Sequence, residues 1–143
     1  MTKTLKLATV LFASLLIFGT SCNKYEDGPK LSLRTKKARM VNTWEVTEAK
    51  DGDSDITEFS EGATITLDKE GNYKTGGETK LGPVQETEGT WEFSSDKTRL
   101  ILTEKGATLP EKWTITRLKN DELWLKKDQS NGTQASTKYK GLD

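Results

Sequence analysis

The sequence has no histidine, and of its 143 residues one is cysteine, three are proline and two are methionine. Without histidine there is no Ser-His-Asp or Cys-His nucleophile system and no histidine-ligated zinc. A single cysteine forms no disulfide within the chain. An excess of charge of one sign is lacking too: 22 Lys and Arg balance 22 Asp and Glu. No basic field is left for nucleic acid, and no nucleic-acid partner is expected. The carboxylates sit beside lysines in polar turns, where solvation keeps them ordinary, so the chain does not read as an enzyme. Beyond residue 18 there is no long apolar run, and 31% charged against 32% hydrophobic residues suits one water-facing domain.

What is present begins at the N-terminus. Lys3 and Lys6 accompany the apolar stretch LKLATVLFASLLIF, residues 5–18, which has the layout of a secretory signal peptide and is too short to be a good spanning helix. Small residues Gly19, Thr20 and Ser21 then precede Cys22. The motif FGTSC resembles a bacterial lipobox, with Gly19 where a large aliphatic residue is usual. The resemblance implies cleavage before Cys22 and a covalent diacylglycerol and N-acyl lipid on its thiol and amine. Several acyl chains, at about 0.8 kcal/mol per buried methylene, hold a soluble domain on a membrane where one chain does not. Apart from that lipid no cofactor is expected, and removing residues 1–21 leaves the remainder slightly acidic. The implied address is the outer membrane of a Gram-negative bacterium, on its periplasmic face or at the cell surface. Residues 22–31 then form a lipidated cysteine and flexible tether, in which Lys24, Glu26 and Asp27 resemble short surface-export signals, and residues 32–143 form the folded domain.

The domain starts with a predicted helix over residues 32–41, with Ser32 as N-cap, Leu33, Met40 and Val41 on one face, and Arg34, Lys36, Lys37 and Arg39 in water. From Thr43 the period changes to two. TWEV, ATITL, a short strand at Tyr73, GTWEF, RLIL, KWTIT, ELWL and QASTKY predict eight strands with one water-facing side. No crossover helices separate them, so the sheet is an antiparallel meander. Its connections alternate between long (50–62, 76–87, 104–110) and tight (68–71, 94–97, 119–121), with 128–132 of intermediate length. Successive connections of a meander lie at opposite ends, so the expected fold class is an all-β, up-and-down, eight-stranded antiparallel barrel with one loop-rich mouth, preceded by one short helix.

That layout resembles the lipocalin barrel. Asn42-Thr43-Trp44 stands where lipocalins have a glycine-x-tryptophan after a short helix, with the tryptophan retained and the glycine not. GTWEF, LILTE, WTITRL and DELWL are similar to stretches of bacterial lipocalin-like lipoproteins. The resemblance implies non-catalytic binding of a small apolar or amphipathic molecule. The alternative is a barrel filled by Trp44, Tyr73, Trp91, Phe93, Trp113 and Tyr139, acting as a structural or protein-interaction module whose outward Ile101 and Trp124 meet an envelope protein. The expected ligand-binding residues are Phe59, Ile65, Trp91, Leu102, Trp113 and Leu125. Ile56 and Phe59 are expected to act as a lid, Ala63, Thr75 and Ala135 to leave space, and Trp91 and Trp113 to lie near the mouth with Trp44 at the closed end. Asp51, Asp53 and Asp55 begin like a calcium loop, but its sixth position is Ile56 and its twelfth Gly62, where glycine and glutamate are required. No metal site is expected.

Overall fold

Alternating apolar and polar residues become strands because the pleat sends every second side chain to the same face, and that face needs a partner to bury it. In the computed structural model, which describes residues 34–143, the partner is the sheet itself. The elements are α1 (Lys36–Met40), β1 (Asn42–Asp51), β2 (Ser54–Asp55), α2 (Thr57–Ser60), β3 (Ala63–Leu67), β4 (Asn72–Thr79), β5 (Gly82–Pro83), β6 (Glu88–Phe93), β7 (Arg99–Glu104), β8 (Glu111–Leu118), β9 (Glu122–Asp128) and β10 (Gln134–Gly141). Eight long strands pair antiparallel in chain order, and β10 returns to β1 to close the barrel. The closing register runs from Trp44 opposite Gly141 to Asp51 opposite Ala135, with a bulge between Val46 and Glu48. The two-residue β2 and β5 fold back on β1 and β4 and give order to the first two long connections.

The tight turns gather at one end. At 68–71 Gly71 adopts φ 93°, and the Asp68 carboxylate accepts the Asn72 N–H at 2.7 Å. At 94–98 Asp96 accepts from Ser94 and Thr98. The same end carries α1 and the tightest packing: Met40, Trp44, Leu67, Leu100, Leu118 and Leu123 are each 0 or 1% exposed. Each such burial contributes about 1.5–3 kcal/mol. Trp44 donates its indole N–H to the Met40 carbonyl at 2.9 Å, and Arg39 donates to the Leu118 carbonyl at 2.9 Å. Helix and first strand are thereby bolted to the end of β8.

Several expectations change here. The helix begins at Lys36, and the Thr35 hydroxyl caps it by accepting the Ala38 N–H at 3.1 Å. Ser32, Leu33, Cys22, the signal segment 1–21 and the tether 22–31 lie outside the described residues. Arg39 is buried and not on a solvated face, its guanidinium donating to the strand-end carbonyl of Leu118. Trp91 does not stand at the mouth. Its indole N–H donates to the Asp68 carbonyl at 2.9 Å and its backbone N–H to Gly71 at 2.8 Å, so it packs beneath the 68–71 turn. The cause is stagger: β6 pairs only with the first residues of β4, Asn72–Lys74, so its axial position is lower than its order in the strand suggests.

Trp44→Ala removes the central side chain of the closed end and its bond to Met40. A loss of about 3–5 kcal/mol is expected in urea unfolding, whereas Phe59→Ala, at a half-exposed position, is expected to change stability by no more than about 0.5 kcal/mol.

Candidate ligand site in the open half of the barrel

Pairing places residues opposite one another on the same face, so the lumen can be followed upward from Trp44. Inward positions near the tight turns are mostly buried, with Phe93 and Tyr139 the partly exposed exceptions, whereas Ala63, Thr75, Leu102, Trp113, Ala135 and Thr137, also inward by register, keep partial solvent access toward the long connections. Phe93, Leu102, Trp113 and Tyr139 pack on the core cluster that contains Ile65, Trp91 and Leu125. The barrel therefore has a filled lower half and an accessible upper half with an aromatic floor and wall. Trp91 and Phe93 meet edge to face at 5.7 Å within that floor. At Gly89 a β-carbon would collide with the Thr103 carbonyl oxygen and come within 2.8 Å of the Tyr73 ring. The missing side chain is what lets Tyr73 lie flat against β6.

The upper wall is polar. Thr75 and Thr87 hydroxyls bond at 2.8 Å, and the Tyr73 phenol bonds with Thr87. Glu111 accepts the Trp113 indole N–H at 3.3 Å and pairs with Lys127 at 3.2 Å, whose ammonium lies 5.4 Å from the Trp113 ring centre. Burial raises the Tyr73 pKa, with the charges of Glu104 and Glu111 adding to it. Burial likewise pushes Tyr139 up to about 12, with a bond from Thr137 opposing and Glu111 assisting. Tyr73 on β4 is three strands from Glu111 on β8 around the barrel, so their coupling runs across the lumen. A depression of about 430 Å³ opens at the rim beside Asp51, Lys127 and Gln129. A larger groove of about 580 Å³ runs over β4, β6 and β7, lined by outward residues such as Thr66, Lys74, Thr90 and Thr103 and also by Tyr73, Gly89 and Glu104.

No protein-family model and no curated protein matches the sequence. Solved structures are similar in shape. A lipocalin-like protein from Bacteroides uniformis superposes with a TM-score of 0.55 at 9% identity, over 73% of this chain and 99% of that one. A protein from Bacteroides eggerthii gives 0.54 at 10% identity, over 72% and 99%. The fold is lipocalin-like.

Within this lipocalin-like barrel the six expected ligand residues separate by burial. Ile65, Leu125 and Trp91 are buried in the floor, Leu102 and Trp113 form the accessible wall, and Phe59 on α2 is 50% exposed. The 52–62 segment lies along β1: Thr57 bonds the Ala49 N–H at 3.0 Å, and Ile56 donates its N–H to the Ala49 carbonyl at 2.9 Å. It lines the wall where β1 and β3 part company after Glu45. Outside, Trp124 is flanked by Arg117 and Lys138, each 4.6 Å from its ring centre, while Met40 and Val41 pack into the core. Asp51 accepts from Gln129, Asp55 accepts from Thr57, and among the described residues no group of three or more Cys, Asp or Glu could hold a metal ion. The lumenal charges Glu104, Glu111 and Lys127 were not among the expected site residues, since 104–110 reads as a loop and KWTIT as the next strand. Carrying the period of two one step further from Leu102, Trp113 and Leu125 finds all three.

A phenol that resists ionisation when folded stabilises the fold below the unfolded value of 10.0, and that contribution is lost as pH rises through about 12. Stability is expected to fall between those limits, and Tyr139→Phe to flatten the fall, as followed by denaturant midpoints at successive pH values.

Proposed function

We propose that the protein is a lipid-anchored, extracytoplasmic binding protein of the outer membrane of a Gram-negative bacterium, and that it holds a small amphipathic molecule, without catalysis, in the open half of its barrel. The observation that carries the reading is the gradient along the lumen. Inward side chains pass from full burial at Trp44 and Leu118 to partly accessible Leu102 and Trp113, and then to exposed Glu104 and Glu111. An apolar chain fits against such a wall while its polar head stays at the rim. Trp113 and Leu102 form the side of the site, Ile65 and Leu125 its floor, and Phe59 its edge. That α1 packs at the closed end supports an anchor on the side away from the mouth.

A second reading, contact with an envelope protein at the mouth, is favoured by Phe59, Leu81 and Leu109, which stand 50%, 75% and 81% exposed on the long connections.

The chain from residue 22, carrying Cys22→Ser, is to be titrated with labelled single-chain amphiphiles of about ten carbons. A saturable change in tryptophan emission is expected; Trp113→Phe removes it and Trp44→Phe preserves it. No saturable change with any of them favours the protein-contact reading. In cells, Cys22→Ala is expected to abolish retention on salt-washed membranes. A processed mutant that stays fully membrane-bound contradicts the anchor.

A further inference from the structure

The charges facing the lumen do not balance. By register Asp51, Glu104, Glu111 and Lys127 occupy inward positions at the mouth: Asp51 opposite Ala135, Ala135 opposite Lys127, Glu104 opposite Gly89 and Glu111 opposite Leu102. Among the described residues, three strand-borne carboxylates thus meet one ammonium. Lys112 and Lys105 do not redress this, because Lys112 faces outward opposite Ile101 and Lys105 pairs with Glu88 at 2.8 Å.

The one lumenal ammonium also shows what the wall stabilises. Lys127 is held by a carboxylate at 3.2 Å and lies 5.4 Å from the centre of an indole ring, the arrangement in which aromatic faces and acids hold alkylammonium ions. On the neighbouring strand β7 the corresponding piece is Glu104, separated from the Tyr73 ring by Gly89 of β6, and among the described residues no cation pairs with Glu104. Asp51 is already engaged by the Gln129 amide at 2.8 Å. The aromatic surface beneath, Trp113 and Leu102 over Ile65 and Leu125, accepts the chain that such a head would carry.

We infer that the barrel selects amphipathic molecules with a cationic head, an alkylammonium over a carboxylate or a neutral alcohol, seated between Glu104 and Glu111 above the Trp113 wall; this rests on the binding function proposed above. Two negative groups in a lumen with low-dielectric walls attract a cation and repel an anion more strongly than they would in open water. The preference should weaken with salt, since the site opens to solvent.

The test uses decylammonium, decanol and decanoate, equal in chain length, on the Cys22→Ser chain from residue 22, with affinity read by calorimetry and tryptophan emission. Decylammonium is expected to bind about tenfold tighter than decanoate at low ionic strength, with the ratio shrinking in high salt. Glu104→Gln, at an exposed position, is expected to weaken decylammonium several-fold and leave decanol unchanged. Lys127→Met is expected to widen the preference, because it frees Glu111. Equal affinities, or tighter decanoate, overturn the cationic selectivity and leave the binding function standing. An unchanged ratio in Glu104→Gln overturns the placement of the head. Failure of all three molecules to bind overturns the selectivity together with the binding function.

Discussion

Pairing of the first and last long strands, from Trp44–Gly141 to Asp51–Ala135, is the constraint on which the rest depends. It removes both free edges of the eight-stranded sheet, the edges at which other chains could otherwise pair. Closure at this strand number also fixes a lumen just wide enough for side chains or one small guest. Which of the two fills it is decided by height. At the tight-turn end α1 acts as a plug, with Trp44 bonded to Met40 and Arg39 to Leu118. At the other end the strands run past the core, and their inward residues turn from aromatic to charged.

The outer surface is held differently. Lys138 and Lys140 face Glu48 and Glu45 across the closing strands at 3.1 and 2.9 Å. Exposed pairs of this kind contribute about 0–1 kcal/mol each, so they tune register and solubility while the buried end supplies stability. Trp124 fits the same pattern. Two cations cover its ring, which removes most of the reason to regard it as an apolar docking surface.

Much of this was legible in one dimension. The change from helical to alternating period at Thr43, and the alternation of long and tight connections, are enough for the barrel and its open end. Trp44 at the closed end is what the resemblance to the lipocalin helix-and-tryptophan start implies. What escaped depends on register. The shortened pairing of β6 with Asn72–Lys74 lowers Trp91 to the 68–71 turn, and no pattern along the chain records an axial shift between neighbouring strands. Arg39 looked like one more solvated cation until the Leu118 carbonyl gave it a partner. The lumenal carboxylates escaped for a third reason: Glu104 and Glu111 sit where strands give way to a loop, and charged residues there normally face water.

The central claim is that the upper half of the barrel, and not its outer face or its closed end, receives a guest. Two-dimensional NMR of the backbone and indole N–H groups during titration with decylammonium tests it directly. The account predicts saturable shifts at Leu102, the Trp113 indole and Thr137, with Trp44, Leu118 and Trp124 unmoved. Shifts centred on Trp124 or on the groove over Thr90 and Thr103, or a spectrum that does not respond at all, would contradict it.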